Sequence, residues 1–147
     1  MKQIGVGLIG FGTVGAGVAD GLQRNRKVMA QRLGVEVVLK RIADVDITTD
    51  RGVAVEPALL TSDAMAVIND PGIQIVVELI GGTGVAKTLV LAALNAGKSV
   101  VTANKKLLAE CGEEIFGAAE KNGVDLYFGA SVGGGIPIIR VLREGLA

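Results

Sequence analysis

Short apolar runs alternate with helical repeats along this chain, and the alternation predicts its elements. Ile4 to Ile9 reads as a buried strand that runs into Gly10. From Thr13 to about Arg24, Val14, Val18, Gly21 and Leu22 recur on one helical face, with Gly17 and Gly21 small enough to let the helix lie close to a sheet. Residues 25–33 extend or append a helix. Val35 to Ala43 is a second strand, followed by a polar loop of Asp44, Asp46, Thr48, Thr49 and Asp50. Ala58 to Thr61 reads as a short third strand. Ser62 is a candidate cap for a short helix ending near Asn69, because Asp70-Pro71-Gly72 stops it before the apolar run Ile73 to Ile80.

That run is the fourth strand. Val85, Leu89, Ala92, Ala93 and Ala96 then repeat at helical spacing, with Gly97 as the exit, and Ser99 to Ala103 is the fifth strand. Leu108, Cys111, Ile115 and Ala119 mark another helix, closed by Asn122-Gly123, and Val124 to Ala130 is the sixth strand. Ile136-Pro137 then opens a helix that is still running at Ala147. Strands alternating with helices predict an α/β fold, a doubly wound parallel sheet in three layers with helices on both faces.

The chemistry begins at Gly10-Phe11-Gly12-Thr13-Val14-Gly15, a G-x-G-x-x-G between a strand and a helix. In that frame Gly10 permits the tight turn, Gly12 lets backbone amides approach a pyrophosphate, and Gly15 packs helix against strand. A glycine-rich turn in a nucleotide-free fold is the alternative. With strand order 3-2-1-4-5-6 the crevice opens between the first and fourth strands, so Gly81-Gly82-Thr83-Gly84 borders it opposite the first loop. A plain turn is the other reading of that stretch. At the end of the second strand, Asp44 is the candidate acceptor for a ribose hydroxyl, although it stands farther from the glycines than the usual ~20 residues.

Composition narrows the classes. Fifteen basic and fifteen acidic residues cancel, and they are interspersed, which argues against a nucleic-acid or anionic-membrane partner. No apolar run reaches the ~20 residues of a membrane span, and Met1 to Ile9 does not read as a signal peptide. With no histidine, proton transfer here must use lysine, a carboxylate, tyrosine or water. The single cysteine, Cys111, reads as core filler rather than a nucleophile.

Three stretches carry a family resemblance: the GFGTVG loop; Thr102-Ala103-Asn104-Lys105-Lys106-Leu107-Leu108-Ala109; and Ala130-Ser131-Val132-Gly133-Gly134-Gly135-Ile136-Pro137-Ile138-Ile139. Together they resemble homoserine dehydrogenase over essentially the whole chain. The resemblance implies NAD(P)-dependent interconversion of aspartate 4-semialdehyde and homoserine, a step toward threonine and methionine, by a cytoplasmic homodimer. It implies a dinucleotide-binding domain over 1–131 and the start of a connection to a substrate and dimerisation domain over 132–147. Lys105 matches the family lysine between nicotinamide and substrate, and Thr102 and Ala103 join the cofactor contacts. A monovalent-cation site, for an ion such as Na+, is implied at Gly129, Val132, Gly134 and Ile136. Gly129 stands where a glutamate is usual, and an unmetallated glycine hinge is the alternative there. The family often carries an arginine around Val45, and its absence leans the cofactor toward NAD or dual use. Two other readings stay open: a nucleotide-binding module without catalysis, and another oxidoreductase of small metabolites on a similar domain.

Overall fold

The computed structural model describes residues 1–128. Its strands are β1 Gln3–Ile9, β2 Glu36–Ala43, β3 Leu60–Thr61, β4 Ile75–Glu78, β5 Ser99–Thr102 and β6 Leu126–Phe128. Helices α1 Thr13–Arg24, α2 Arg26–Leu33, α3 Ala64–Ile68, α4 Gly84–Asn95 and α5 Lys105–Asn122 connect them, with a 3-10 turn at Pro57–Leu59 before β3. The sheet is parallel throughout, in the order β3-β2-β1-β4-β5-β6. The doubly wound sheet expected from the sequence is therefore present, with its switch point between β1 and β4.

Alternation along β1 explains the two cores. Ile4, Val6 and Leu8 face α1 and α2, where Val18, Ala19, Leu22 and Met29 cover them together with Ile75, Val77 and Val101 from the neighbouring strands. On the other face, Val76 and Val100 pack under Val67, Leu89, Val90, Leu94, Leu107 and Ile115 from α3, α4 and α5. Burying a side chain of this size contributes ~1.5–3 kcal/mol, so covering both faces is what sustains so short a set of strands. At Gly7 the second face is too crowded for any side chain, since a Cβ would stand 2.4 Å from Cγ1 of Val67.

Several boundaries differ from the sequence reading for local reasons. The fourth strand starts at Ile75 rather than Ile73 and stops at Glu78 rather than Ile80. It stops there because Oε2 of Glu78 accepts the N–H groups of Ile80 at 2.8 Å and Gly81 at 3.1 Å, bending the chain out of the sheet. Asp63, not Ser62, caps α3 by accepting from the Met65 N–H. Val14 does not share the buried face of Val18 and Leu22 but is half exposed at 52%. Gly17 is exposed with open space where its Cβ would be. The close approach belongs to Gly15 instead, whose Cβ would meet the Gly10 carbonyl oxygen at 2.1 Å. Arg41 in β2 pairs with Asp70 at 3.0 Å. Cys111 is free and half-buried against the second core. The continuation of the sixth strand to Ala130 and the helix opening at Ile136 lie outside the described residues, as does the proposed division at 131/132.

Candidate dinucleotide site

The ends of β1, β2, β4 and β5 all point to one side of the sheet, and the loops that leave them form the site. At β1 the chain turns at Gly10, whose φ of 112° is left-handed backbone that a glycine adopts without strain. A side chain there would also press on the Leu79 backbone at 2.9 Å. Gly12 follows as the N-cap of α1 and makes no side-chain cap, and the helix carries no acid in its first turn. The leading amides of α1 are thus left for an anion, and open space stands over Gly12 where any other residue would place its Cβ. Thr13 and Val14, at the start of the helix, are exposed beside this space, and Gly15 closes the turn from below. Phe11 turns its side chain into the core at 4% exposure, so only its backbone belongs to the loop.

Asp44 follows β2 directly and reaches the glycine loop. Its Oδ2 accepts the Phe11 N–H at 2.5 Å and its Oδ1 accepts the Asp46 N–H at 2.8 Å. The long interval in sequence between Gly15 and Asp44 is taken up by α2, which inserts a second helix before β2. Asp46 organises the rest of this loop. It accepts from Thr49 and Thr48 and pairs with Arg51 at 3.2 Å, and these hydrogen bonds, those of Thr49 first, hold its carboxyl far below the usual aspartate range. Arg51 has one buried nitrogen, Nε, without a partner among the described residues.

Two cavities lie beside the glycine loop. The larger, of about 300 Å³, is framed by Asp44 and Val45 after β2, Met65 of α3, Ile80 after β4, and Val85 and Leu89 of α4. Its walls are mainly apolar, with the carboxylate residues Asp44 and Asp63 among them, which suits a flat base and a hydroxylated sugar. The smaller, of about 150 Å³, is framed by Val14, Glu78, Leu79, Gly81, Ala103 and Asn104. Between them, the glycines after β4 carry no side chain into the crevice. Gly81 and Gly82 both take φ of 74°, and nothing approaches their would-be Cβ atoms. Thr83 is the half-buried N-cap of α4.

Glu78 is the residue that sequence reasoning missed. It is 1% exposed, yet it sits at the end of the central strand β4 and borders the smaller cavity. Besides the Ile80 and Gly81 amides, its carboxylate accepts from the Thr102 hydroxyl at 2.8 Å and from Nδ2 of Asn104 at 3.4 Å. Asn104 in turn donates to the Gly82 carbonyl at 2.6 Å and caps α5 by accepting from the Leu107 N–H at 3.0 Å. The loops after β4 and β5 are thus one hydrogen-bonded unit. In sequence Glu78 was hidden within a mostly apolar run that also holds Gln74; the signal was that single acid in a strand with apolar residues on both sides.

Thr102 is fully buried, so its hydroxyl serves Glu78 rather than the open crevice. Ala103 lines the smaller cavity. Lys105, the first residue of α5, is exposed, and with Lys106 it places two ammonium groups at a helix N-terminus that has no acid in its first turn. Cations are disfavoured at that end of a helix by ~0.3–1 kcal/mol. Gly129, Val132, Gly134 and Ile136 lie outside the described residues. Among the described residues no group of three or more acids or cysteines could hold a metal, and no helix is long and apolar enough to cross a membrane.

Comparison with known proteins gives the family and the fold. Residues 10–129 match the family model described as homoserine dehydrogenase, NAD binding domain. The homoserine dehydrogenase of Neisseria gonorrhoeae is 47% identical over 147 residues, covering all of this chain and 34% of that protein. The enzyme of Corynebacterium glutamicum is 48% identical over 147 residues, 99% of this chain and 33% of that protein. The crystal structure of a homoserine dehydrogenase from Thiobacillus denitrificans superposes with a TM-score of 0.82 at 49% identity, covering 99% of this chain and 34% of that one. The chain spans about a third of the length of these relatives.

Proposed function

Because this chain belongs to the homoserine dehydrogenase family by its NAD-binding domain, we propose that it forms the dinucleotide-binding part of an enzyme that interconverts L-homoserine and L-aspartate 4-semialdehyde. That step leads toward threonine and methionine, in the cytoplasm and in a homodimer. The observation that carries the reading is the uncapped start of α1, with open space over Gly12 and a cavity on either side. In this reading the amides of Gly12 to Gly15 hold the pyrophosphate, the larger cavity takes the adenosine, and the smaller takes the nicotinamide ribose and ring. The nicotinamide, when bound, supplies or accepts the hydride.

Lys105 acts on the substrate side. Its ammonium polarises the aldehyde oxygen and stabilises the alkoxide, which accounts for a cation kept at a helix start that disfavours it. Asn104 fixes the turn from which Lys105 projects, through its links to Glu78, Gly82 and Leu107. At the end of β2 the groups favour NAD over NADP. Asp44 puts a carboxylate beside the larger cavity, and Arg51 is engaged by Asp46 rather than free for a 2′-phosphate. A monovalent cation at Gly129, Val132, Gly134 and Ile136 belongs to this proposal on the family resemblance alone.

Homoserine oxidation by the complete gene product, followed by absorbance of the reduced cofactor, tests the proposal. Homoserine-dependent reduction, faster with NAD+ than with NADP+, is the expected result. A product that binds dinucleotide and reduces none with homoserine would leave a nucleotide-binding module instead, and a strong preference for NADP+ would overturn the role given to Asp44 and Asp46.

A further inference from the structure

Most buried groups in this domain are apolar; Glu78 and Lys98 are the two charged side chains found buried among the described residues. Lys98 stands before β5, at the far end of the sheet from the crevice. Its ammonium donates to the Asp70 and Ile73 carbonyls at 2.7 and 2.6 Å, so it is spent on closing the loop before β4. Glu78 is different. Among the described residues no ion pair engages it, and the four donors it meets are two backbone amides, a hydroxyl and a carboxamide. All four donate, which is the pattern of an acceptor-only, ionised carboxylate. These hydrogen bonds satisfy its oxygens without cancelling its charge, so a net negative charge remains at the floor of the smaller cavity. A glutamine, with one acceptor oxygen and a donating NH2, could not accept from all four, so the loops are tied through a carboxylate although a buried charge without a counterion is expensive.

A charge kept in such a place acts on whatever enters the cavity. Around it stand Val14, Leu79, Gly81 and Ala103, which bring no charge of their own, and the carboxylate itself is buried, so its field is screened less than that of an exposed group. The two redox forms of a nicotinamide differ by one unit of charge on the ring: oxidised cationic, reduced neutral. We propose that Glu78 sets the redox preference of this crevice, its carboxylate stabilising the oxidised dinucleotide over the reduced one. The inference rests on the reading of the smaller cavity as the nicotinamide pocket. It makes Glu78 a specificity-determining residue that acts through its field, in addition to its tie between the loops after β4 and β5.

Calorimetric titration of the chain with NAD+ and with NADH, in the wild type and in Glu78→Gln, separates charge from structure. Loss of the charge weakens NAD+ about tenfold more than NADH, a ratio that a purely structural loosening does not move. Equal weakening of both forms, or a greater loss for NADH, overturns the proposal. Glu78→Asp keeps the charge and is expected to hold the NAD+ to NADH ratio within about threefold even where both affinities fall; a tenfold change there also overturns it, and this variant stands as the test if Glu78→Gln does not fold. Failure of the wild type to bind either form overturns the dinucleotide reading itself, whereas binding with an unmoved ratio overturns only the role of Glu78.

Discussion

The hydroxyl of Thr102 donates to Oε1 of Glu78 at 2.8 Å, across the paired ends of β5 and β4, and accepts the N–H of Asn104 at 3.0 Å. One buried hydroxyl therefore ties the central strand of the crevice to the turn that carries Lys105. Thr102→Val keeps the shape and removes both hydrogen bonds. It leaves the Asn104 amide unpaired and the Glu78 carboxylate one donor short, and should cost ~1–3 kcal/mol. Urea unfolding of the two proteins measures it, and equal midpoints would show that the tie contributes nothing.

A second expectation separates two glycines of one motif. At Gly15 a Cβ would stand 2.1 Å from the Gly10 carbonyl oxygen, so Gly15→Ala must push α1 away from the β1 turn. A destabilisation of ~1–3 kcal/mol should follow, seen as a lowered melting temperature before any ligand is added. A variant as stable as the wild type would mean that the helix start yields without cost.

Much of this was legible from the sequence because period and punctuation agreed. The glycine loop follows a strand and opens a helix, and Asp70-Pro71-Gly72 marks the break before β4, so the succession of strands and helices was legible; the spatial order was taken with the doubly wound frame, and the structure has it. The ends of β4 were not legible, because the apolar run from Ile73 to Ile80 carries no sign that the side chain of Glu78 takes the amides of Ile80 and Gly81. Gly17 and Val14 were misread because period alone does not say which edge of the apolar stripe touches the sheet. Asp44 was legible as a candidate, but its reach to Phe11 depends on how α2 returns the chain to β2. Thr102 was drawn out by the motif as a cofactor contact, and the tie of its hydroxyl to Glu78 was not legible because it depends on the pairing of β4 and β5.

The pH dependence of stability follows from Asp70. The Gly72 N–H, then the Arg41 guanidinium, hold its carboxyl below the ordinary aspartate range. A lowered folded-state value means the group stabilises the fold above the unfolded value of ~4, and that this contribution is lost as the pH falls through the folded value. Denaturation midpoints should therefore decline with acid below about pH 4, and less steeply in Asp70→Asn. Parallel declines in the two proteins would remove Asp70 from the account.

Lys105→Ala should separate turnover from binding. The ammonium meets its largest charge only as the alkoxide forms, so turnover of homoserine in the complete gene product should drop ~10² or more. Dinucleotide affinity should stay within a few fold, since the pyrophosphate site lies at the start of α1 rather than α5. Near-normal turnover would return Lys105 to the solvated surface, and a collapsed affinity would make it a binding residue.

Gly12 carries the central claim, because its backbone, at φ of −79°, is one any residue adopts, and a Cβ there meets nothing of the protein within 4 Å. Gly12→Val should therefore fold like the wild type while filling the space assigned to the pyrophosphate. Titration calorimetry with NAD+ on the two proteins is the most direct test. One site per chain in the wild type and at least ~10²-fold weaker binding in a variant of unchanged stability is the result expected. Equal affinity in the two would contradict the account and move the dinucleotide away from the glycine loop.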